Sequence, residues 1–243
     1  MRITILTLFP DMFKGFCDTS IIKRAIDNDV VEINIVDFRK YSLDKNNKVD
    51  DYPYGGGAGM VLMCQPVIDC LQDVRKDNSV VLLTSPVGRR FNQDYAKELK
   101  ENDDVIIICG HYEGYDERID HFVDQKVSIG DYVLTGGELA AMVITDTITR
   151  LLEGAISKQS LDCESFDDNL LEYPQYTRPE EYQGLRVPDV LLSGHHQNIA
   201  KWRLKQSLKA TYKQRKDLLA KRELTSQESD LLVEALREDD LNG

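Results

Sequence analysis

Val105-Ile106-Ile107-Ile108-Cys109-Gly110-His111-Tyr112-Glu113-Gly114 is the stretch that decides the fold class. Its first five residues are apolar without alternation, as in a parallel strand covered by helices on both faces. The run then stops at a glycine-containing loop with a carboxylate and two rings. Working outward, Ile3–Leu8, Val31–Val36 and Val80–Leu83 are further strand candidates, and Gln65–Val74 and Asn92–Leu99 are helical between them. Short apolar strands alternating with helices predict an α/β domain with a mainly parallel sheet.

Ser85-Pro86-Val87-Gly88 follows one apolar strand, Cys109–Gly114 a second, and Ser128-Ile129-Gly130-Asp131-Tyr132-Val133-Leu134 a weaker third. One such loop is an ordinary connecting turn. Three at strand C-termini predict a small-molecule site, because open α/β sheets bind ligands there. The third loop runs into Thr135-Gly136-Gly137-Glu138, a match to the S/T-x-x-E capping box. Ala141, Ile144, Ile148 and Leu151 follow at helical spacing, with Arg150 near the far end. Tyr54-Gly55-Gly56-Gly57-Ala58-Gly59-Met60 is neither a P-loop nor a dinucleotide fingerprint. Composition reads it equally as a floppy loop or as backbone that approaches a ligand.

Beyond Gly154 the character changes. Ser157–Asn169 is polar and aperiodic, and from about Tyr176 onward the chain reads as helical. The expected division is an α/β domain over 1–156, a linker over 157–175 and a small all-helical domain over 176–243. In the last, Ala200, Leu204, Leu208 and Tyr212 form an apolar row, with Lys201, Lys205, Lys209 and Lys213 as a basic row one position over. Thr225 and Glu228 cap a final helix running to about Arg237.

The net charge of −12 argues against binding nucleic acid through the whole surface, yet nine basic residues against the single acid Asp217 crowd between Lys201 and Arg222. Five cysteines in an odd set without C-x-x-C, and four histidines without ligand spacing, predict free thiols in a reducing cytoplasm and no metal site. No apolar run reaches transmembrane length, so no membrane association is expected. Met1–Pro10 reads as a first strand rather than a signal peptide.

Asp51–Met60, Cys109–Arg118, Ser128–Glu138, Leu171–Pro179 and Leu191–Ser207 resemble, in order and across nearly the whole chain, the tRNA (guanine-N1)-methyltransferases of the TrmD type. The resemblance implies what no pattern could give. It implies a deep trefoil knot in the α/β domain (the SPOUT class), a homodimer with active sites between subunits, and methyl transfer from S-adenosylmethionine to the guanosine immediately 3′ of the tRNA anticodon. Matched position by position, the donor is expected at Pro86, Gly88, Gly110, Tyr112, Glu113, Ile129, Gly130, Asp131, Tyr132, Val133, Leu134, Gly136 and Gly137.

The same match implies Arg150 as the cation at guanine O6. Glu164, in Cys163-Glu164-Ser165-Phe166, stands where many members carry Asp and is expected to take the N1 proton, with Glu172 in support. His195, His196, Lys201, Arg203, Lys205 and Lys209 fall in the RNA-contacting region, with Trp202 among them; cations neutralise phosphates and rings stack on bases. No magnesium cage is legible, and a Mg²⁺ ion could either arrive with the RNA or assist catalysis. Two competing readings are a catalytically weak RNA-binding relative and a nucleotide-dependent enzyme using the glycine-rich loop.

Overall fold

The computed structural model describes residues 1–157 and 165–242. The chain divides into two compact units, Met1–Ser157 and Lys158–Gly243.

The first unit is built on strands β1 (Arg2–Thr7), β2 (Glu32–Asp37), β5 (Val80–Arg90), β6 (Asp104–Ile108) and β7 (Gln125–Ser128). They form one sheet in the order β2-β1-β6-β5-β7, and every pairing is parallel. A separate antiparallel pair, β3 (Asp50–Asp51) with β4 (Val61–Leu62), flanks the glycine-rich segment. Helices α1 (Lys14–Cys17), α2 (Ser20–Asp27), α3 (Cys64–Val74), α4 (Gln93–Leu99) and α5 (Glu138–Leu151) connect or follow the strands.

The uninterrupted apolar run behaves as its composition demands. Val105 and Ile107 face one layer with Ile3, Ile5 and Leu82, against Ala25, Tyr95, Leu99, Ala141, Ile144 and Ile148 of α2, α4 and α5. Ile106 and Ile108 face the other with Leu6, Val81 and Leu83, against Val67, Cys70 and Leu71 of α3. Alternate side chains point to opposite faces of a strand, so helices on both sides leave no position free for a polar residue.

Two local readings need correction. Ser85–Gly88, expected as a loop, belongs to the longer strand β5: Thr84 and Arg89 both stand opposite Val127, so the residues between them bulge out of the ladder. Glu138 is not the third residue of a capped turn either. Gly137 is the N-cap and Glu138 the first helical residue. Its side chain is buried and accepts a 2.8 Å hydrogen bond from the Thr7 hydroxyl instead of reaching back to Thr135.

At the opposite end of the sheet, Asp104 is buried in a salt bridge with Arg2. Arg2 Nη2 donates to Asp104 Oδ2 over 3.0 Å and to the Val74 carbonyl over 2.9 Å, and the Ser79 hydroxyl also donates to Asp104. Burial alone would raise the Asp104 carboxyl; the hydrogen bonds from Arg2 and Ser79 outweigh it and hold the group below its ordinary value.

In the second unit, α6 (Asp189–Leu192) precedes helices α7 (His196–Gln214), α8 (Lys216–Leu219) and α9 (Ser226–Asn242), which gather around Leu208, Leu231 and Leu232. The cap on α9 is as the sequence reads: Glu228 N donates to Thr225 Oγ1 over 3.2 Å, and Thr225 N donates to Glu228 Oε2 over 2.9 Å. The unit is not purely helical, because β8 (Glu181–Tyr182) pairs antiparallel with β9 (Leu185–Arg186). Gln183 (φ 53°) and Gly184 (φ 80°) make the two-residue turn whose backbone matches strand twist.

The expected rows on α7 are rotated. Its buried face holds Lys205, Ser207, Leu208 and Thr211, whereas Ala200 and Tyr212 are exposed. Lys205 therefore leaves the basic row. It is 8% exposed and donates to Glu234 Oε1 over 2.9 Å and to Glu238 Oε1 over 2.6 Å. Lys201 and Arg203 remain exposed.

Candidate functional site

The bulge of β5, the ends of β6 and β7 and the start of α5 line a cavity of about 350 Å³. Thr84 ties the first two ends together: its hydroxyl donates to the Ile108 carbonyl over 3.1 Å and accepts from Gly110 N at 3.1 Å. The chain entering α5 then passes directly over this junction. Gly137 N donates to the Gly110 carbonyl over 2.8 Å, and a Cβ at Gly137 would stand 2.0 Å from Thr84 Oγ1 and 2.8 Å from Gly110 N. Only a residue without a side chain permits that approach.

The third loop forms a wall. Ser128 Oγ accepts from Gly130 N at 3.3 Å, and the Tyr132 ring lies so close to Gly130 that a Cβ there would stand 2.4 Å from Cε1. Ile129, Val133 and Leu134 complete an apolar lining beside backbone amides and carbonyls. A flat, partly apolar group with a polar edge suits such walls.

The second loop brings side-chain chemistry. His111 packs its ring 4.9 Å from Phe9 and 5.0 Å from Tyr112, and its Nδ1 is buried without a hydrogen-bond partner. Partial burial, then the Asp50 carboxylate, raise the Tyr112 hydroxyl above its ordinary value. Burial, then the Glu138 carboxylate, raise the Cys109 thiol well above its own, so Cys109 is a buried apolar filler rather than a nucleophile.

The C-terminal end of the glycine-rich segment is tied to the second loop. Glu113 N donates to the Met60 carbonyl over 3.1 Å, and Leu62 N donates to the Gly114 carbonyl over 2.9 Å. Gly59 sits at φ 78°, where a Cβ would stand 2.3 Å from Glu113 Cγ. The glycine-rich segment thus packs behind Glu113 and Gly114, which line the cavity, without lining it itself.

Of the residues anticipated for a donor, Pro86, Gly110, Tyr112, Glu113, Ile129, Gly130, Tyr132, Val133, Leu134, Gly136 and Gly137 line this cavity. Gly88 and Asp131 do not. Gly88 lies against the β7 backbone, where a Cβ would meet Val127 N at 2.3 Å, and the exposed Asp131 carboxylate faces Arg90 at 3.6 Å. Thr84 and His111 line the cavity without having been anticipated. Thr84 closes an apolar strand and could have been flagged as its first hydrogen-bonding residue; His111 carried no signal beyond its place in the loop.

Arg150 is not brought to the cavity. It lies twelve residues beyond Glu138 on the same helix. At about 1.5 Å per residue that is about 18 Å, farther than an arginine side chain reaches. Glu164 lies outside the described residues. Glu172 is exposed and accepts from Gln175 Nε2 at 2.7 Å.

In the second unit, the Arg203 guanidinium lies 4.7 Å from the Tyr173 ring centroid, and Tyr176 packs 6.3 Å from Trp202. His195 is the N-cap of α7 and His196 its first residue, both exposed. Cations stacked on rings at an exposed helix start are the features single-stranded RNA exploits. Among the described residues, no group of three or more His, Cys, Asp and Glu could hold a metal, and no helix is long and apolar enough to cross a membrane.

A family model described as tRNA (Guanine-1)-methyltransferase TrmD matches residues 1–221. Curated relatives from Bacillus cereus (strain AH820), Bacillus anthracis (strain A0248) and Bacillus thuringiensis subsp. konkukian (strain 97-27) are each 55% identical over 233 residues. The match covers 94% of this chain and 96% of theirs, and each is named tRNA (guanine-N(1)-)-methyltransferase.

Proposed function

The chain belongs to the tRNA (guanine-1)-methyltransferase family of the TrmD type, and from that premise we propose that it methylates N1 of the guanosine immediately 3′ of the tRNA anticodon with S-adenosylmethionine, giving 1-methylguanosine. The observation that carries the reading is the cavity itself. The β5 bulge, two strand-end loops and a glycine crossing form an apolar, amide-edged slot of the size and polarity that an adenosine group needs.

Guanine N1 carries a proton and is a poor nucleophile until that proton leaves. In the transfer, the N1 electron pair forms the new C–N bond, the C–S bond breaks onto sulfur, and the N1 proton goes to a base. Glu164 is that base in this reading, and Arg150 stabilises the negative charge that develops at O6. Glu113 borders the cavity and adds a carboxylate near the cationic donor.

The separation of Arg150 from the donor cavity on one helix supports a homodimer, in which one protomer's Arg150 serves the cavity of its partner. The second unit supplies the RNA grip through Lys201, Arg203, His195 and His196, with Lys209 flanking. We also place the enzyme in the cytoplasm with its tRNA. The knot belongs to the same reading, and the passage of Gly137 across Thr84 and Gly110 supports it.

The test is to incubate the protein with methyl-labelled S-adenosylmethionine and unmodified tRNA, digest the RNA and map the label. Label in 1-methylguanosine next to the anticodon is expected. Label in another nucleoside or position would replace the substrate reading.

A further inference from the structure

Glu138 has no part in the chemistry above, yet it is the most unusual charge near the cavity. Its side chain is 2% exposed. One carboxylate oxygen accepts the Thr7 hydroxyl at 2.8 Å, and among the described residues no Lys or Arg pairs with it. A buried carboxylate without a counter-cation is costly, and it is retained where something offsets the cost. The N-terminal position on α5 offsets part, since helix amides there favour negative charge.

The other oxygen lies under the cavity lining. A Cβ at Gly136 would stand 2.5 Å from Glu138 Oε2 and 2.5 Å from His111 Nδ1, so carboxylate and imidazole bracket a glycine of the wall. His111 Nδ1 has no hydrogen-bond partner, so the imidazole does not pair with the carboxylate. A cationic occupant of the cavity would bring a compensating positive charge to this side of the wall.

We infer that Glu138 is a specificity-determining residue that makes the cavity prefer a cationic occupant, so that the sulfonium donor binds better than its neutral demethylated product. This rests on the donor reading above. The donor and its product differ by one methyl group and one positive charge, and that charge disappears from sulfur when the C–S bond breaks. A fixed anion beneath the wall therefore weakens its hold on the product once transfer is complete. Glu138 touches neither the methyl group nor guanine, and acts through its field in a poorly solvated site.

Calorimetric titration of the full chain with S-adenosylmethionine, S-adenosylhomocysteine and a cationic amine analogue of the donor tests this. Glu138→Gln keeps the hydrogen-bonding shape and removes the charge. The ratio of product Kd to donor Kd should fall by about 3–30-fold in the variant, with the amine analogue following the donor, as expected for a unit charge acting across several ångströms of protein. A parental ratio in a variant that still binds would overturn the inference, as would equal loss of both ligands, which marks a structural role. Should Glu138→Gln not fold, Glu138→Asp retains the charge and should retain the ratio; loss of the ratio there also overturns it. If the parent binds none of the three ligands, it is the donor reading that fails.

Discussion

Lys205 donates to Glu234 over 2.9 Å and so fastens α7 to α9. One lysine of an apparently uniform basic row is thereby committed to holding the second unit together rather than to RNA. Because Glu234 is half exposed, the bond is partly screened. Lys205→Met should lower stability by about 1 kcal/mol in urea unfolding and leave the salt dependence of tRNA binding unchanged. A flattened salt dependence would return Lys205 to the RNA surface.

Lys201 and Arg203 behave oppositely. Replacing either by Ala should leave unfolding within about 0.5 kcal/mol of the parent. Each lost phosphate contact should reduce the slope of log K against log salt by about 0.7–0.9. Fluorescence titration of tRNA at several salt concentrations reads this directly.

Asp104 gives the first unit an acid-sensitive anchor. Its carboxyl lies below its ordinary value when folded, so the stabilisation is complete above the unfolded value near 4 and is lost as pH falls through the folded one. Asp104→Asn should cost about 3 kcal/mol at neutral pH, since Arg2 loses a buried partner. The gap between variant and parent should narrow below about pH 4 in thermal melts.

Glu164→Gln should slow single-turnover methyl transfer by about 10²–10⁴-fold while tRNA and donor still bind. Glu164→Asp should retain part of the rate. An unchanged rate in Glu164→Gln would shift the base to Glu172 or to a water-mediated group.

Arg150 and Gly137 allow a test of assembly. A Gly137→Ala chain loses its donor cavity, and an Arg150→Ala chain keeps the cavity but lacks the cation. On the proposed homodimer, co-refolded mixtures should regain methyl transfer that neither chain shows alone, because a mixed dimer would pair one intact cavity with one intact Arg150. No recovery in a mixture shown to contain mixed dimers would place both residues in one protomer's site.

The parallel sheet was legible because Val105–Cys109 has no polar position, and only two helical layers can cover such a strand. The two cavity loops after β6 and β7 were legible because they sit at strand ends. The β5 bulge was not, since Ser85-Pro86-Val87-Gly88 has the composition of a loop and its return to pairing depends on Val127, a partner distant in sequence. The burial of Lys205 was hidden for a similar reason. Helical spacing gives the angle between residues, but which face turns inward was set by Leu231, Leu232 and Glu234 on another helix. Glu138 misled because the capping-box pattern is local, whereas Thr7, its actual partner, comes 131 residues earlier in the chain.

The sheet's middle strands also set the order in which this protein can come into being. β1 is the first strand made, but one of its two neighbours is β6, about a hundred residues later. Until Asp104–Ile108 has left the ribosome, Ile3, Ile5 and Leu6 have at most one of their two flanking strands. Distant pairing of this kind slows folding and prolongs exposure of sticky strand edges. The cavity closes later still, when Gly137 settles over Thr84 and Gly110. A nascent chain halted before Glu138 would therefore hold most of its sheet yet have no place for a ligand.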